Sequence, residues 1–196
     1  VTAKIVPADA TLIPDEAERV FKGVIYDVYH WQQKLFDDSQ TTFEMLRRAD
    51  TVSAVCLVGD KLIVLQDEQP HRGIRTTFPG GRAEPGEDTL AAVQREIHEE
   101  TGYEFNNWRL LHVFQPHTKI EQFIYLYIAW DGKQAAGPHV DAGERITVEL
   151  LPLATVKQLV DEGVGYMGES REIFAGINSV ETLLTLPEFV GREITR

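Results

Sequence analysis

The sequence predicts a mixed α/β fold. Residues Glu87 to Thr101 are good helix formers, and Gly102 follows where a C-terminal cap belongs. Val52 to Val58 and Gln122 to Trp130 are apolar runs of strand length, the second nearly all apolar and therefore buried. A second helix is expected over Ala154 to Glu162, ended by Gly163. At 196 residues, with 43% hydrophobic and 26% charged side chains, the chain is long and apolar enough to bury one sizeable core.

Taken in order, residues 1–50 read as an N-terminal, strand-rich extension. Val20 to Trp31 is rich in β-branched and aromatic residues and gives one or two strands broken near Gly23. Phe36-Asp37-Asp38-Ser39 is a turn signal, and Thr41 to Arg48 returns as a strand. A core domain is expected over 51–165. It opens with a hairpin, Val52 to Val58 and Lys61 to Leu65 joined by Gly59-Asp60. Pro70 to Thr77 reads as a loop carrying Arg72 and Arg75. Trp108 to Gln115 and Arg145 to Leu151 are further strands, and 132–143 is a Gly/Ala/Pro loop. Residues 166–196 form a tail packed on the core, with short helices at Arg171 to Ile177 and Val180 to Leu186, the latter stopped by Pro187.

The chemistry concentrates in Gly81 to Tyr103, GRAEPGEDTLAAVQREIHEETGY. Glu96, Glu99 and Glu100 fall at i, i+3 and i+4 and so share one helix face. Like charges at that spacing cost a few tenths of a kcal/mol per pair, and no lysine one turn on relieves them. Carboxylates gathered on a rigid helix suit a hard cation, Mg²⁺ or Mn²⁺. Just before the helix, Gly80 and Gly81 let the backbone approach a metal or phosphate closely.

Nine positions of this stretch obey one spacing rule: Gly81, Glu87, then Arg95-Glu96-Ile97, Glu99-Glu100 and Gly102-Tyr103. In this the chain resembles the Nudix hydrolases, which cleave the diphosphate of a nucleoside diphosphate linked to another moiety with divalent cations. The resemblance implies an α/β/α sandwich with a mixed sheet. It implies that Glu96, Glu99, Glu100 and the Gly80 carbonyl are metal ligands. It implies that Arg95 belongs to the catalytic set by tying the loop before the helix to the helix itself. The general base is either a glutamate of this helix or one on a later loop, with Glu144 and Glu121 as later candidates; Glu121 is also a candidate substrate contact.

Within the family the chain is most similar to the ADP-ribose pyrophosphatases. The N-terminal extension resembles their dimerisation segment, Gln69-Pro70-His71-Arg72 resembles a Gln-x-Arg element, and Pro116 resembles a proline that follows their motif. It departs from that branch at Phe78-Pro79-Gly80-Gly81, where Glu-Leu-Pro-Ala-Gly is usual. ADP-ribose is therefore the expected substrate, with nucleotide sugars, dinucleotides and nucleoside triphosphates as alternatives. Arg72 and Arg75 are the candidate diphosphate contacts, since a guanidinium fork matches phosphate. Trp31, Tyr29 and Phe36 are candidates for stacking on a base. A homodimer is implied by the resemblance.

Composition narrows the rest. A net charge of −12 disfavours nucleic acid as a partner, although bound cations and local arginines accommodate a small anion. No apolar run reaches membrane-spanning length and no signal-peptide pattern is visible, so neither membrane association nor export is expected. Cys56 is the single cysteine, expected as an inert core thiol, and a cytoplasmic setting follows as the default. A non-catalytic, nucleotide-sensing module is the rival reading. Such a module is free to lose carboxylates, and this chain keeps them all.

Overall fold

The computed structural model describes residues 3–139, 143–165 and 167–195. The strands are β1 (Ala3–Val6), β2 (Glu18–Lys22), β3 (Asp27–Lys34), β4 (Gln40–Arg47), β5 (Thr51–Val58), β6 (Lys61–Gln69), β7 (Arg72–Thr77), β8 (Gly80–Arg82), β9 (Tyr103–Phe114), β10 (Ile120–Glu121), β11 (Ile124–Gln134), β12 (Arg145–Pro152) and β13 (Arg192–Thr195). The helices are α1 (Thr89–Thr101), α2 (Leu153–Glu162), α3 (Arg171–Phe174) and α4 (Val180–Leu184), with a 3₁₀ turn over Met167–Ser170.

The central sheet runs β12-β6-β5-β11-β9 and is mixed: β11 lies parallel to β5 and antiparallel to β9. Strand β5 shows how it becomes the middle layer. Val52, Ala54 and Cys56 face one core with Ala92, Val93 and Ile97 of α1. Val55 and Leu57 face the other with Val156 and Val160 of α2 and with Phe174 and Leu183 of the tail. Both faces are apolar because both are covered, which gives the α/β/α sandwich.

Strands β5 and β6 pair at Leu57–Leu62 and Val58–Lys61 and then part. Beyond that point β6 pairs with β7 and β5 pairs with β8. The chain from β7 into β8 therefore sits where the two central strands separate, and α1 packs over β8. Outside this sandwich, β2, β3 and β4 form an antiparallel sheet that β10 joins in parallel to β4. Strands β1 and β13 pair with each other.

Several boundaries differ from expectation. Arg72–Thr77 is a strand rather than a loop, because β6 offers it the edge that β5 leaves. Helix α1 starts at Thr89, since Asp88 caps it by accepting from Leu90 N and Ala91 N, which leaves Glu87 outside the helix. Strands β9 and β11 run longer than their apolar segments because each supplies the other's ladder from Tyr103–Gln134 onward. Positions 140–142 of the expected 132–143 loop lie outside the described residues. Cys56 is buried, as a core thiol should be.

Candidate active site

Glycine lets the first part of the site close. A Cβ on Gly81 would lie 2.3 Å from Glu96 Oε2, and one on Gly80 would lie 2.1 Å from the Val52 carbonyl oxygen. The Gly80 contact is with backbone, so β8 can lie against β5 only with that residue bare, while a side chain at Gly81 would displace the Glu96 carboxylate. The strand is pinned there by Ala54 N, which donates to the Pro79 carbonyl at 3.0 Å, and by Ser53 Oγ, which donates to the same oxygen at 3.0 Å. Gly80 N in turn donates to Glu100 Oε2 at 2.7 Å, which links β8 to the helix face.

Arg95 organises the other side of that face. Its Nε and Nη2 donate to the two carboxylate oxygens of Glu87, both at 3.0 Å, a bidentate fork. Nη1 donates to Glu96 Oε1 at 2.8 Å and to Glu99 Oε2 at 3.1 Å, and Nη2 also reaches the Arg82 carbonyl at 3.2 Å. Glu87 additionally accepts from Glu84 N at 2.8 Å. The loop before α1 is thus tied to the helix by one guanidinium. Its bond to Glu87 holds that carboxyl below the usual carboxylate range, and the same contact raises the guanidinium further.

Glu96 and Glu100 have the opposite electrostatics. Burial pushes Glu96 up against the pull of Arg95, and the charges of Glu99 and Glu144 add to the rise. Burial pushes Glu100 well above the usual range. The Gly80 N–H opposes this, while Glu96, Glu144 and Asp67 reinforce it. Glu144, half-buried just before β12, accepts from Gln69 Nε2 at 2.9 Å. Carboxylates from α1, from the approach to β12 and from β6 therefore crowd one patch, with Arg95 at its rim. Such a patch suits a compensating hard cation.

Carboxylate oxygens and a backbone carbonyl are the donors Mg²⁺ and Mn²⁺ take, so the residues fit such an ion. Among the described residues no set of His, Cys, Asp or Glu side chains is already converged as ligands. The reason is visible: Arg95 draws Glu96 and Glu99 towards itself and Gly80 N holds Glu100.

The other expected site residues are scattered. Arg75 lies exposed on β7, across from Asp67 in register. Arg72 begins the same strand. Trp31 packs on Phe43 in the N-terminal sheet, ring centroids 4.9 Å apart, and its Nε1 donates to Gln33. Tyr29 lies beneath the Arg47 guanidinium, and Phe36 is fully exposed. Glu121 lies at the end of β10. It is only 6% exposed, accepting from Ile13 N at 2.6 Å and from Arg47 Nε at 2.9 Å. Such a carboxylate fastens the N-terminal segment to β10. Two residues escaped the sequence reading. Asp67 hides in the polar run Gln66 to Gln69 at the end of β6, and Gln69 is visible only as part of a motif.

A NUDIX domain model matches residues 47–167. This chain belongs to the Nudix family. It is 26% identical over 160 residues to a methanol dehydrogenase activator of Bacillus methanolicus, covering 80% of this chain and 83% of that one. It is 27% identical over 88 residues to the ADP-ribose pyrophosphatase of Bacillus subtilis (strain 168), covering 44% of this chain and 48% of the relative. A crystal structure of an ADP compounds hydrolase shares the Nudix fold with a TM-score of 0.64 at 21% identity, over 83% of this chain and 93% of that one. The chain is a Nudix hydrolase, and its mixed-sheet sandwich is the Nudix fold.

Proposed function

We propose that the enzyme hydrolyses ADP-ribose to AMP and ribose 5-phosphate, using Mg²⁺ or Mn²⁺. The observation that carries this reading is the crowding of Glu96, Glu100 and Glu144 beside a glycine strand, with burial raising the first two. The likeness to the Bacillus subtilis pyrophosphatase supports the choice of ADP-ribose.

Glu96, Glu99, Glu100 and the Gly80 carbonyl would hold the ion. When bound, such an ion neutralises phosphoryl charge and makes a nearby water more acidic. Glu144 accepts the proton of the attacking water, whose oxygen bonds to phosphorus as the bond to the bridging oxygen breaks. Arg95 keeps Glu87, Glu96 and Glu99 in place and touches no reacting atom. Arg72 and Arg75 bind the diphosphate from β7, and Trp31 offers its face to the adenine.

In this reading the enzyme works as a cytoplasmic homodimer. Exposed Phe21 on β2, with Val24, Ile25 and Phe36 in the turns of the N-terminal sheet, supports a subunit contact there. No helix among the described residues is long and apolar enough to cross a membrane. The net charge of −12 supports a small-molecule substrate over nucleic acid.

Phosphate-coupled hydrolysis tests the reading across ADP-ribose, nucleotide sugars, dinucleoside polyphosphates and nucleoside triphosphates. ADP-ribose is expected to give the highest kcat/KM. Preference for another diphosphate removes the substrate assignment and keeps the chemistry. Turnover of none, with either cation, removes both.

A further inference from the structure

Gln69 and Glu144 meet across two antiparallel strands. Strand β6 ends at Gln69 and β12 begins at Arg145, and their register sets Glu68 opposite Arg145. One more step along that register puts Gln69 opposite Glu144. The side chains use this placement: Gln69 Nε2 donates to Glu144 Oε1 at 2.9 Å. On its other edge β6 carries a register shift against β7 between Asp67 and Gln69. Irregularities of this kind re-aim side chains at the ends of strands. The same amide lies 3.5 Å from Asp67 Oδ2, so it stands between Glu144 and the buried aspartate.

The chemistry of the donor matters. A lysine or arginine here would fix Glu144 by an ion pair and make its carboxylate a weaker base. A neutral amide holds the carboxylate by a directional bond and adds no positive charge to it.

We propose that Gln69 is a positioning residue, whose amide aims the Glu144 carboxylate at the carboxylate face of α1. The inference rests on the reading of Glu144 as the base. It predicts that Gln69 acts on turnover through Glu144 and through no other group.

A double-mutant cycle tests it, with kcat and KM for ADP-ribose measured for wild type, Gln69→Met, Glu144→Gln and the double variant. Gln69→Met keeps the side-chain length and removes the donor. It is expected to lower kcat about 10- to 100-fold with KM within about twofold. Gln69→Glu, which sets like charges face to face, is expected to lower kcat further. In the Glu144→Gln background the Gln69→Met change is expected to alter kcat by less than about twofold, because the two residues act as one unit. A merely structural role would move the thermal midpoint and lower the active fraction equally in both backgrounds. Unchanged kcat in Gln69→Met, or the same loss with and without Glu144, overturns the inference while leaving Glu144 as the base. Wild-type kcat in Glu144→Gln overturns the base assignment and this inference together.

Discussion

Glu100 and Glu121 are both carboxylates withdrawn from water, and they differ in what was given back. Glu121 receives the Arg47 guanidinium and the Ile13 N–H. Glu100 receives one backbone N–H, from Gly80, and the negative charges of Glu96, Glu144 and Asp67 around it. A compensated buried carboxylate holds structure together; a crowded one stores a demand for positive charge. The difference is what separates the fastening of the N-terminal segment from the site.

The largest effect that sharpens this contrast is on turnover. Glu100→Gln is expected to reduce kcat by at least about 1000-fold, since under the proposed function it removes a cation ligand. The same substitution is expected to raise the thermal midpoint without cations, because it removes a buried charge. A lower midpoint would mean that Glu100 is compensated after all.

Breaking the other carboxylate's partner should act on stability alone. Arg47→Met strands Glu121 and is expected to cost about 3 kcal/mol in denaturant unfolding, with kcat per folded molecule unchanged. A loss of kcat in the folded variant would put Glu121 back in the site.

Cation binding should then depend on pH in a definite sense. The Glu96 and Glu100 carboxyls are raised in the folded state. Raised acids favour the protonated folded form, so their contribution is most favourable at low pH and is lost as pH rises through the folded values. An added divalent cation offsets that loss. The rise in thermal midpoint with Mg²⁺ is therefore expected to be larger at about pH 8 than at about pH 5. An equal rise at both would separate cation binding from these carboxylates.

The smallest effect asks whether lack of compensation is by itself a mark of function. The Tyr125 hydroxyl is fully buried with no hydrogen-bond partner among the described residues. It is neutral and sits inside the core that backs α1. Tyr125→Phe is expected to raise stability by about 1 kcal/mol and to leave kcat alone. A fall in kcat would mean that uncharged buried groups also serve the reaction.

The helix face, the glycines before it and the Arg95 tie were legible because they are local: their spacing is written within Gly80 to Gly102. Strand β7 was hidden because its pairing depends on β5 leaving β6, which no local pattern records. Likewise β1 and β13 pair ends of the chain, Ala3 with Thr195. The setting of Glu121 was hidden for the same reason. Its compensation comes from residues 74 and 108 positions away, and without them a glutamate between two strands reads as exposed. Asp67 went unnoticed among the polar residues that end β6, because only the fold brings its charge near Glu100.

The most direct test is ADP-ribose hydrolysis with Mg²⁺, measured side by side for wild type, Glu100→Gln and Arg47→Met at matched folded concentration. The account predicts turnover in wild type and Arg47→Met and a loss of at least about 1000-fold in Glu100→Gln. Turnover within about threefold of wild type in Glu100→Gln would contradict it, because the crowded carboxylate would then be no more functional than the compensated one.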